Sequence, residues 1–171
     1  MNLRKQIFIA EKHIIIEKTK MTTKQIEKKF PAYMENIKLP DCAKEQEFVV
    51  YRACRTRKIE KASFLNSYEE NGFKILDYPG LANDDPQHFC MSVYAKIKDL
   101  KRFCSINQTK YQPPYLLAKG VTVGSCGVSC LTKDWKKTKN SHIDWWLYEG
   151  AAPWKYFEEV NYEEECNVQN Q

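Results

Sequence analysis

The sequence predicts an α+β fold: a single small mixed sheet with flanking helices, preceded by a basic helical extension. Stretches rich in β-branched and aromatic residues at 47–55, 88–94 and 142–148 indicate the strands of the sheet. Amphipathic segments and loops with proline or glycine lie between them. In a chain of 171 residues, this order favours one α+β domain with extensions.

Charge and proline content divide the chain into three parts. Residues 1–42 mix lysines with isoleucines and phenylalanines, and the cap signal in TTKQIEKKF predicts one or two basic helices. LPDC at 39–42 interrupts that pattern, so the α+β core is predicted over 43–160. Residues 161–171 are predicted to form an acidic and polar tail.

The predicted core begins with a strand in EFVVYRACR. Side chains alternate between the two faces of a strand, which gives one row of Val49, Tyr51 and Ala53 and a second row of Val50, Arg52 and Cys54. A helix is then predicted over 63–70, with its end at Asn71 and Gly72, because glycine often terminates helices.

HFCMSVY at 88–94 is predicted to form a second strand that leads into an amphipathic helix. In that helix, AKIKDLKRF, the residues Ile97, Leu100 and Phe103 recur at helical spacing. YLLAKGVTVG predicts a further strand, and GSCGVSCLTKDWKKTKNS is predicted to be a loop because it is rich in glycine, cysteine and lysine.

The segment SHIDWWLYEGAAPWKYFEEV is predicted to close the domain with a strand over 142–148 and a short helix over 154–160. Alternation separates the row His142, Asp144, Trp146 and Tyr148 from the row Ile143, Trp145, Leu147 and Glu149. The second row is predicted to be core apart from its last residue. The first row combines polar groups with flat aromatic rings and predicts a pocket wall for a nucleobase or another planar ligand.

Polar residues on separate predicted strands favour such a pocket. Asp144 is expected to hold the imidazole of His142 in one tautomer, or else both are surface residues beside an aromatic edge. Arg52 and Arg55 are candidate phosphate ligands, or else they pair with a nearby glutamate. Ser92 is expected to orient a ribose hydroxyl, or else it is an exposed strand residue.

The cysteine pattern favours free thiols in a cytoplasmic protein. The seven cysteines are an odd set without CxxC spacing, which argues against a disulfide framework. Cys126 and Cys130 would supply two zinc ligands, but a site needs four and a second suitably spaced pair is missing, so no metal is expected. The sequence lacks an apolar run of membrane-spanning length and lacks GxSxG, HExxH and GxGxxG motifs.

The layout of residues 47–150 resembles that of the ADP-ribosyltransferase superfamily. VVYRACR supplies an arginine in an early strand, HFCMSVY a serine in a middle strand, and DWWLYEGA a late glutamate. The resemblance implies that Arg52 holds the NAD pyrophosphate and that Ser92 steadies the nicotinamide ribose. It also implies that Tyr94 stacks on the nicotinamide and that Glu149 stabilises positive charge at the ribose.

The site expected from these patterns has catalytic and cofactor-binding residues. The catalytic residues are expected to be Glu149, His142 and Asp144. The cofactor NAD is expected to bind Arg52, Ser92, Tyr94 and Trp146.

The leading functional expectation is an intracellular ADP-ribosyltransferase-like or NAD-processing enzyme, such as a toxin or a defence effector. The alternative is a non-enzymatic module that binds nucleic acid or an acidic protein through the basic N-terminal region, or an inhibitor subunit of a larger complex. The formal net charge of +5, concentrated near the start of the chain, is compatible with both.

Overall fold

The computed structural model describes residues 28–106 and 115–169. Its strands are β1 (Val49–Cys54), β2 (Met91–Tyr94), β3 (Leu116–Val121), β4 (Gly127–Leu131), β5 (His142–Leu147) and β6 (Phe157–Glu159). Its α-helices are α1 (Ser67–Glu70), α2 (Ile97–Ile106) and α3 (Tyr162–Gln169). The predicted α+β class is confirmed, whereas the predicted basic helices over 1–27 lie outside the described residues.

The strands form one six-stranded antiparallel sheet in the order β4-β5-β2-β1-β3-β6. β1 pairs with β3 along its whole length, from Val49 opposite Val121 to Cys54 opposite Leu116. Its other neighbour is β2, and there the described residues contain one pair, Tyr51 opposite Tyr94. The sheet therefore opens between β1 and β2, and we call this boundary the seam.

The two faces of the sheet bury different clusters of side chains. On one face, Val50 of β1 packs in a cluster with Ile143 and Trp145 of β5. On the other face, Tyr51 of β1 packs with Ile97 of α2. The alternation predicted for β1, and the core role predicted for Ile143 and Trp145, are confirmed.

β4 is a strand where the sequence predicted a loop. It pairs with β5 from Gly127 opposite Leu147 to Leu131 opposite Ile143. A Cβ atom added at Gly127 would collide with the backbone carbonyl oxygen of Trp146, so the close approach of the two strands requires glycine. The glycine that suggested a loop is therefore a requirement of the pairing.

The helix predicted over 154–160 is wrong. A 3-10 turn, Pro153–Tyr156, leads directly into β6, which pairs with β3 through Phe157 opposite Gly120. The ring of Phe157 also lies against that of Phe64, with 4.8 Å between centroids. These contacts favour an extended backbone after the proline-initiated turn.

The described part of the predicted tail forms α3, which docks on the sheet. The Tyr51 hydroxyl donates to Glu165 at 2.7 Å, and Lys119 Nζ lies 3.0 Å from the same carboxylate. The acidic residues that suggested a solvated tail therefore include one that anchors the helix.

Two predicted elements have shifted starts. The second strand begins at Met91, because Asp85 accepts from the backbone of Gln87 and starts a 3-10 turn, Pro86–Phe89. The predicted helix over 63–70 is a 3-10 turn followed by α1, with a capping box at Asn66. The helix ends at Glu70 with Asn71 as its C-cap, and Gly72 follows with a φ of 66°, which agrees with the predicted end at Asn71 and Gly72.

Candidate functional site

A cavity of about 330 Å³ opens at the seam. Small-molecule sites commonly have volumes of about 300–1,000 Å³, so this one suits a ligand fragment the size of a nucleoside. Four predicted site residues line it: Arg52, Ser92, Tyr94 and His142. The wall also includes Arg55, Glu70, Tyr78, Leu100, Phe103 and Tyr115.

The other three predicted site residues are not part of the cavity wall. Asp144 is fully buried behind His142, with no exposed surface. Trp146 is equally buried in a cluster with Met34 and Phe89, and its indole donates to the Pro86 carbonyl at 2.8 Å. Glu149 is exposed after the end of β5. The polar row of β5 is thus largely enclosed, and only His142 reaches the cavity.

Arg52 joins the two sides of the seam. Its guanidinium donates to the backbone carbonyls of Ser63 at 3.0 Å, Leu65 at 3.3 Å and Ser92 at 2.7 Å. It also donates to Glu70 at 2.8 Å. The bond to Ser92 connects β1 to β2 where their ladder is open. Arg52 is therefore a structural clamp in this state, and its expected role as a phosphate ligand stays a prediction.

Glu70 bridges two arginines on the cavity wall. Its Oε1 lies 2.8 Å from Arg52 Nη2, and its Oε2 lies 3.1 Å from Arg55 Nη1. The alternative that these arginines pair with a glutamate is what the structure shows. The three groups together carry one net positive charge, which favours an anionic ligand at this wall.

Asp144 is the centre of a buried hydrogen-bond network. Its Oδ2 accepts from the Thr132 hydroxyl at 2.7 Å and from the Trp135 indole at 2.9 Å. Its Oδ1 accepts from the Cys90 thiol at 3.1 Å. These three hydrogen bonds replace those that the carboxylate would make to water if it were exposed. Burial, with Asp144 as the next cause, raises the pKa of Cys90 well above its usual range, so the thiol stays protonated.

The same network fixes the tautomer of His142. Thr132 has one hydroxyl hydrogen, and because it donates this hydrogen to Asp144, its oxygen accepts from His142 Nδ1, 2.6 Å away. Asp144 Oδ1 lies 3.4 Å from the same nitrogen. Burial lowers the pKa of His142, so the ring is neutral at neutral pH. Nε2 is left as a proton acceptor, the form required of a general base.

Aromatic rings form the remaining wall around His142. The ring of Tyr94 meets the imidazole edge-on at 5.1 Å between centroids, and Phe103 lies 5.8 Å from Tyr94. Burial raises the pKa of Tyr94, so its hydroxyl remains a neutral donor. Tyr78 stacks on His88 on the loop side, with 6.1 Å between centroids. Such a wall suits a flat ring.

Sequence reasoning missed several residues that shape the site. Thr132 and Trp135 hold Asp144, yet they follow β4, which was predicted to be a loop. Glu70 was missed because its arginine partners lie 15 to 18 residues earlier in the chain. No local sequence signal marks the network, because it depends on the register that sets Cys130 opposite Asp144 and brings the following turn back over β5.

The two cysteines considered as zinc ligands lie in different places. Cys126 packs in the cluster of Trp145, whereas Cys130 packs with Trp146. Within residues 28–106 and 115–169, no group of three or more histidine, cysteine, aspartate or glutamate side chains is arranged to hold a metal ion. In the same ranges, no helix is long and apolar enough to cross a membrane.

The fold and the site together define an antiparallel α+β domain with a cleft between two strands of its sheet. Comparisons of the chain with protein-family models, curated proteins and solved structures gave no match. The resemblance to ADP-ribosyltransferases therefore stays a prediction, based on the short motifs in three strands.

Proposed function

We propose that the protein is a cytoplasmic NAD-processing enzyme of the ADP-ribosyltransferase or NAD glycohydrolase type. The observation that carries this proposal is the neutral His142, whose tautomer is fixed by Thr132 and Asp144 and which faces an aromatic cavity beside two arginines. A base, a flat aromatic wall and a positively charged wall suit cleavage of a nucleotide at its ribose, because they can activate the attacking group, hold the base and hold the phosphates.

The size and lining of the cavity support binding of the nicotinamide and ribose half of NAD. At about 330 Å³ the cavity is too small for the whole dinucleotide, so the adenosine half would extend beyond it. Tyr94 and Phe103 would contact the nicotinamide ring, and Ser92 would contact the ribose. Arg55 would contact the pyrophosphate in exchange for its bond to Glu70, while Arg52 keeps its structural bonds.

The chain's own residues can then support one chemical step. NAD supplies a glycosidic bond between ribose C1′ and a positively charged nitrogen, and the electron pair of that bond leaves with the neutral nicotinamide. His142 Nε2 takes the proton of the water or acceptor hydroxyl whose oxygen forms the new bond to C1′. Glu149, which is outside the cavity, has no contact in this arrangement that would give it the role implied by the resemblance.

A thermal-shift titration tests the proposal. NAD or ADP-ribose is expected to raise the midpoint of unfolding saturably, because a ligand that binds the folded state stabilises it. Ser92→Ala is expected to weaken that shift, and the matched control Ser125→Ala, at an exposed serine outside the cavity, is expected to keep it.

Nicotinamide release tests the chemistry separately. Wild type is expected to release nicotinamide from NAD, and His142→Gln is expected to bind NAD but lose turnover by roughly 10²- to 10⁴-fold, the usual contribution of a general base. Absence of any shift with NAD, ADP-ribose or ATP would contradict the proposal, as would full turnover in His142→Gln.

A further inference from the structure

Two thiols meet at the outer edge of β4. The backbone of Lys44 donates to the Ser129 carbonyl at 3.2 Å, and the backbone of Ser129 donates to the Lys44 carbonyl at 2.8 Å, which makes an antiparallel bridge. Cys42 lies two residues before this bridge on one segment, and Cys130 lies one residue after it on the other. The backbone thus brings both cysteines to the same side of the bridge, and their thiols lie within hydrogen-bond reach of each other.

The two thiols differ in their access to solvent. Cys130 is 1% exposed, whereas Cys42 is partly exposed, and both pack in the cluster that contains Trp146. Burial raises the pKa of Cys130, so its thiol stays protonated and is shielded from dissolved reagents. A dissolved oxidant therefore reaches Cys42 first, and the oxidised sulfur is then already in contact with a second thiol.

We infer that Cys42 is an oxidation site for peroxides and that Cys130 is the thiol that closes it into a disulfide. A disulfide needs Cβ atoms about 3.5–4.5 Å apart, and two thiols already in contact require little backbone movement to reach that geometry. Reversible sensor cysteines commonly combine these two features, an accessible thiol and a neighbouring thiol that resolves it.

The reaction has two steps. Hydrogen peroxide transfers one oxygen atom to the Cys42 sulfur: its O–O bond breaks, an S–O bond forms, and water leaves, which gives the sulfenic acid. The Cys130 sulfur then attacks the Cys42 sulfur, the S–S bond forms as the S–O bond breaks, and the Cys130 proton leaves with the hydroxide as a second water. One peroxide is thereby reduced to two waters, and two thiols are oxidised to one disulfide.

The disulfide would tie the segment that covers Trp146 to the edge strand of the sheet. Met34 and Leu39 precede Cys42 in this segment and pack in the same cluster as Trp146. A cross-link from residue 42 to residue 130 closes a long loop, which restricts the unfolded chain and favours the folded state. The inference concerns a different part of the molecule from the cavity and does not depend on NAD.

Cys166 provides a matched control. It is the other partly exposed cysteine, and its thiol bonds the hydroxyl of Tyr162. An oxidant has similar access to Cys166, but a hydroxyl cannot form a disulfide. Cys166→Ala is therefore expected to leave the cross-link unchanged, whereas Cys42→Ala and Cys130→Ala are each expected to abolish it.

The test treats the reduced, folded full chain with hydrogen peroxide, blocks the remaining thiols by alkylation, and identifies linked peptides by mass spectrometry without reduction. Trypsin leaves Cys126 and Cys130 in one peptide, since no lysine or arginine lies between them, so loss of the link in Cys130→Ala assigns the partner. In that variant Cys42 is expected to accumulate as a sulfenic acid that dimedone traps. Cys42→Ala gives the same test at a partly exposed position if Cys130→Ala folds poorly.

Wild type and Cys166→Ala are expected to give the cross-link within one chain, and a dithiol is expected to reverse it. The melting point of oxidised wild type is expected to rise by roughly 5–15 °C, with no rise in Cys42→Ala. Absence of the linked peptide in wild type would overturn the inference, as would its loss in Cys166→Ala or a link between two chains. So would a cross-linked form that melts no higher than the reduced one, because a link formed from the native contact stabilises the native state.

Discussion

The two sides of the cavity hold largely buried polar groups that differ in how many of their hydrogen bonds the protein itself supplies. On the β1 side, Arg52 makes four hydrogen bonds to the protein itself, three of them to backbone carbonyls. On the β5 side, His142 uses Nδ1 for Thr132, and Nε2 is left as an acceptor at a cavity-lining position. Four of the five N–H groups of Arg52 are thus bound within the protein, whereas the Nε2 atom of His142 has bonding capacity left for a ligand.

The difference shows that burial of a polar residue does not by itself indicate function. A buried group whose hydrogen bonds all end in the protein stabilises the fold, because breaking any of them leaves an unpaired polar atom. A buried group with unused capacity can act on a ligand. We therefore expect variants on the Arg52 side to change stability and variants of His142 to change activity.

The largest expected effect is that of Arg52→Ala. It removes the closest partner of Glu70 and the side-chain donor of three backbone carbonyls. Breaking a buried ion pair typically costs about 3–5 kcal/mol, so the free energy of unfolding in urea is expected to fall by that amount. His142→Ala serves as the comparison, with a much smaller loss. If Arg52→Ala unfolded at the same urea concentration as wild type, the structural role given to Arg52 would be contradicted.

Asp144→Asn is expected to have the next largest effect. The amide nitrogen of asparagine cannot accept, so at least one of the donors Thr132, Trp135 and Cys90 loses its partner. An unpaired buried group costs about 1–3 kcal/mol, measurable as a lower free energy of unfolding. Asp134→Asn, an exposed aspartate ten residues earlier, is the matched control and is expected to unfold like wild type.

His142 is expected to make stability and activity depend on pH. Burial lowers its pKa in the folded protein below the ordinary value of about 6.5, so the unfolded chain binds the proton more tightly. Its contribution to stability is complete above pH 6.5 and is lost as pH falls through the folded pKa. Denaturation series from pH 8 to 5 are expected to show this loss in wild type and a smaller one in His142→Gln. An equal loss of stability with falling pH in wild type and in His142→Gln would contradict this prediction.

The smallest expected effect is that of Glu149→Gln. The side chain is exposed and outside the cavity, so stability is expected to change by less than about 0.5 kcal/mol. Nicotinamide release is also expected to be unchanged. The resemblance to ADP-ribosyltransferases implies the opposite, because it gives Glu149 the central catalytic role. A large loss of turnover with an unchanged melting curve would support the resemblance.

Local alternation predicted much of the sheet. The rows of β1 and the apolar row of β5 follow from residue parity alone, because a strand fixes which side chains share a face. Polar residues on separate predicted strands brought Arg52, Ser92 and His142 to one cavity, and the resemblance added Tyr94. Alternation placed the polar row of β5 in an open pocket, however, because parity does not show which segments cover a face.

What the sequence could not predict depends on contacts between distant residues. Two of the carbonyls that accept from Arg52 belong to Ser63, 11 residues away, and to Ser92, 40 residues away. No local pattern marks a carbonyl as an acceptor for a particular side chain. β4 was predicted to be a loop for a related reason. Gly127 argues against a strand when the segment is taken alone, but the close approach of β5 requires a glycine there.

The seam also bears on how the domain unfolds. It divides the sheet into two three-stranded halves, β4-β5-β2 and β1-β3-β6, which the described residues join by one backbone pair, the Arg52 bond to Ser92 and the cluster that Val50 shares with Ile143 and Trp145. Such halves can open separately, as units of different local stability. A ligand in the cavity touches both, so we expect occupancy to slow amide hydrogen exchange in β2 and β1 together and to make the two halves unfold as one.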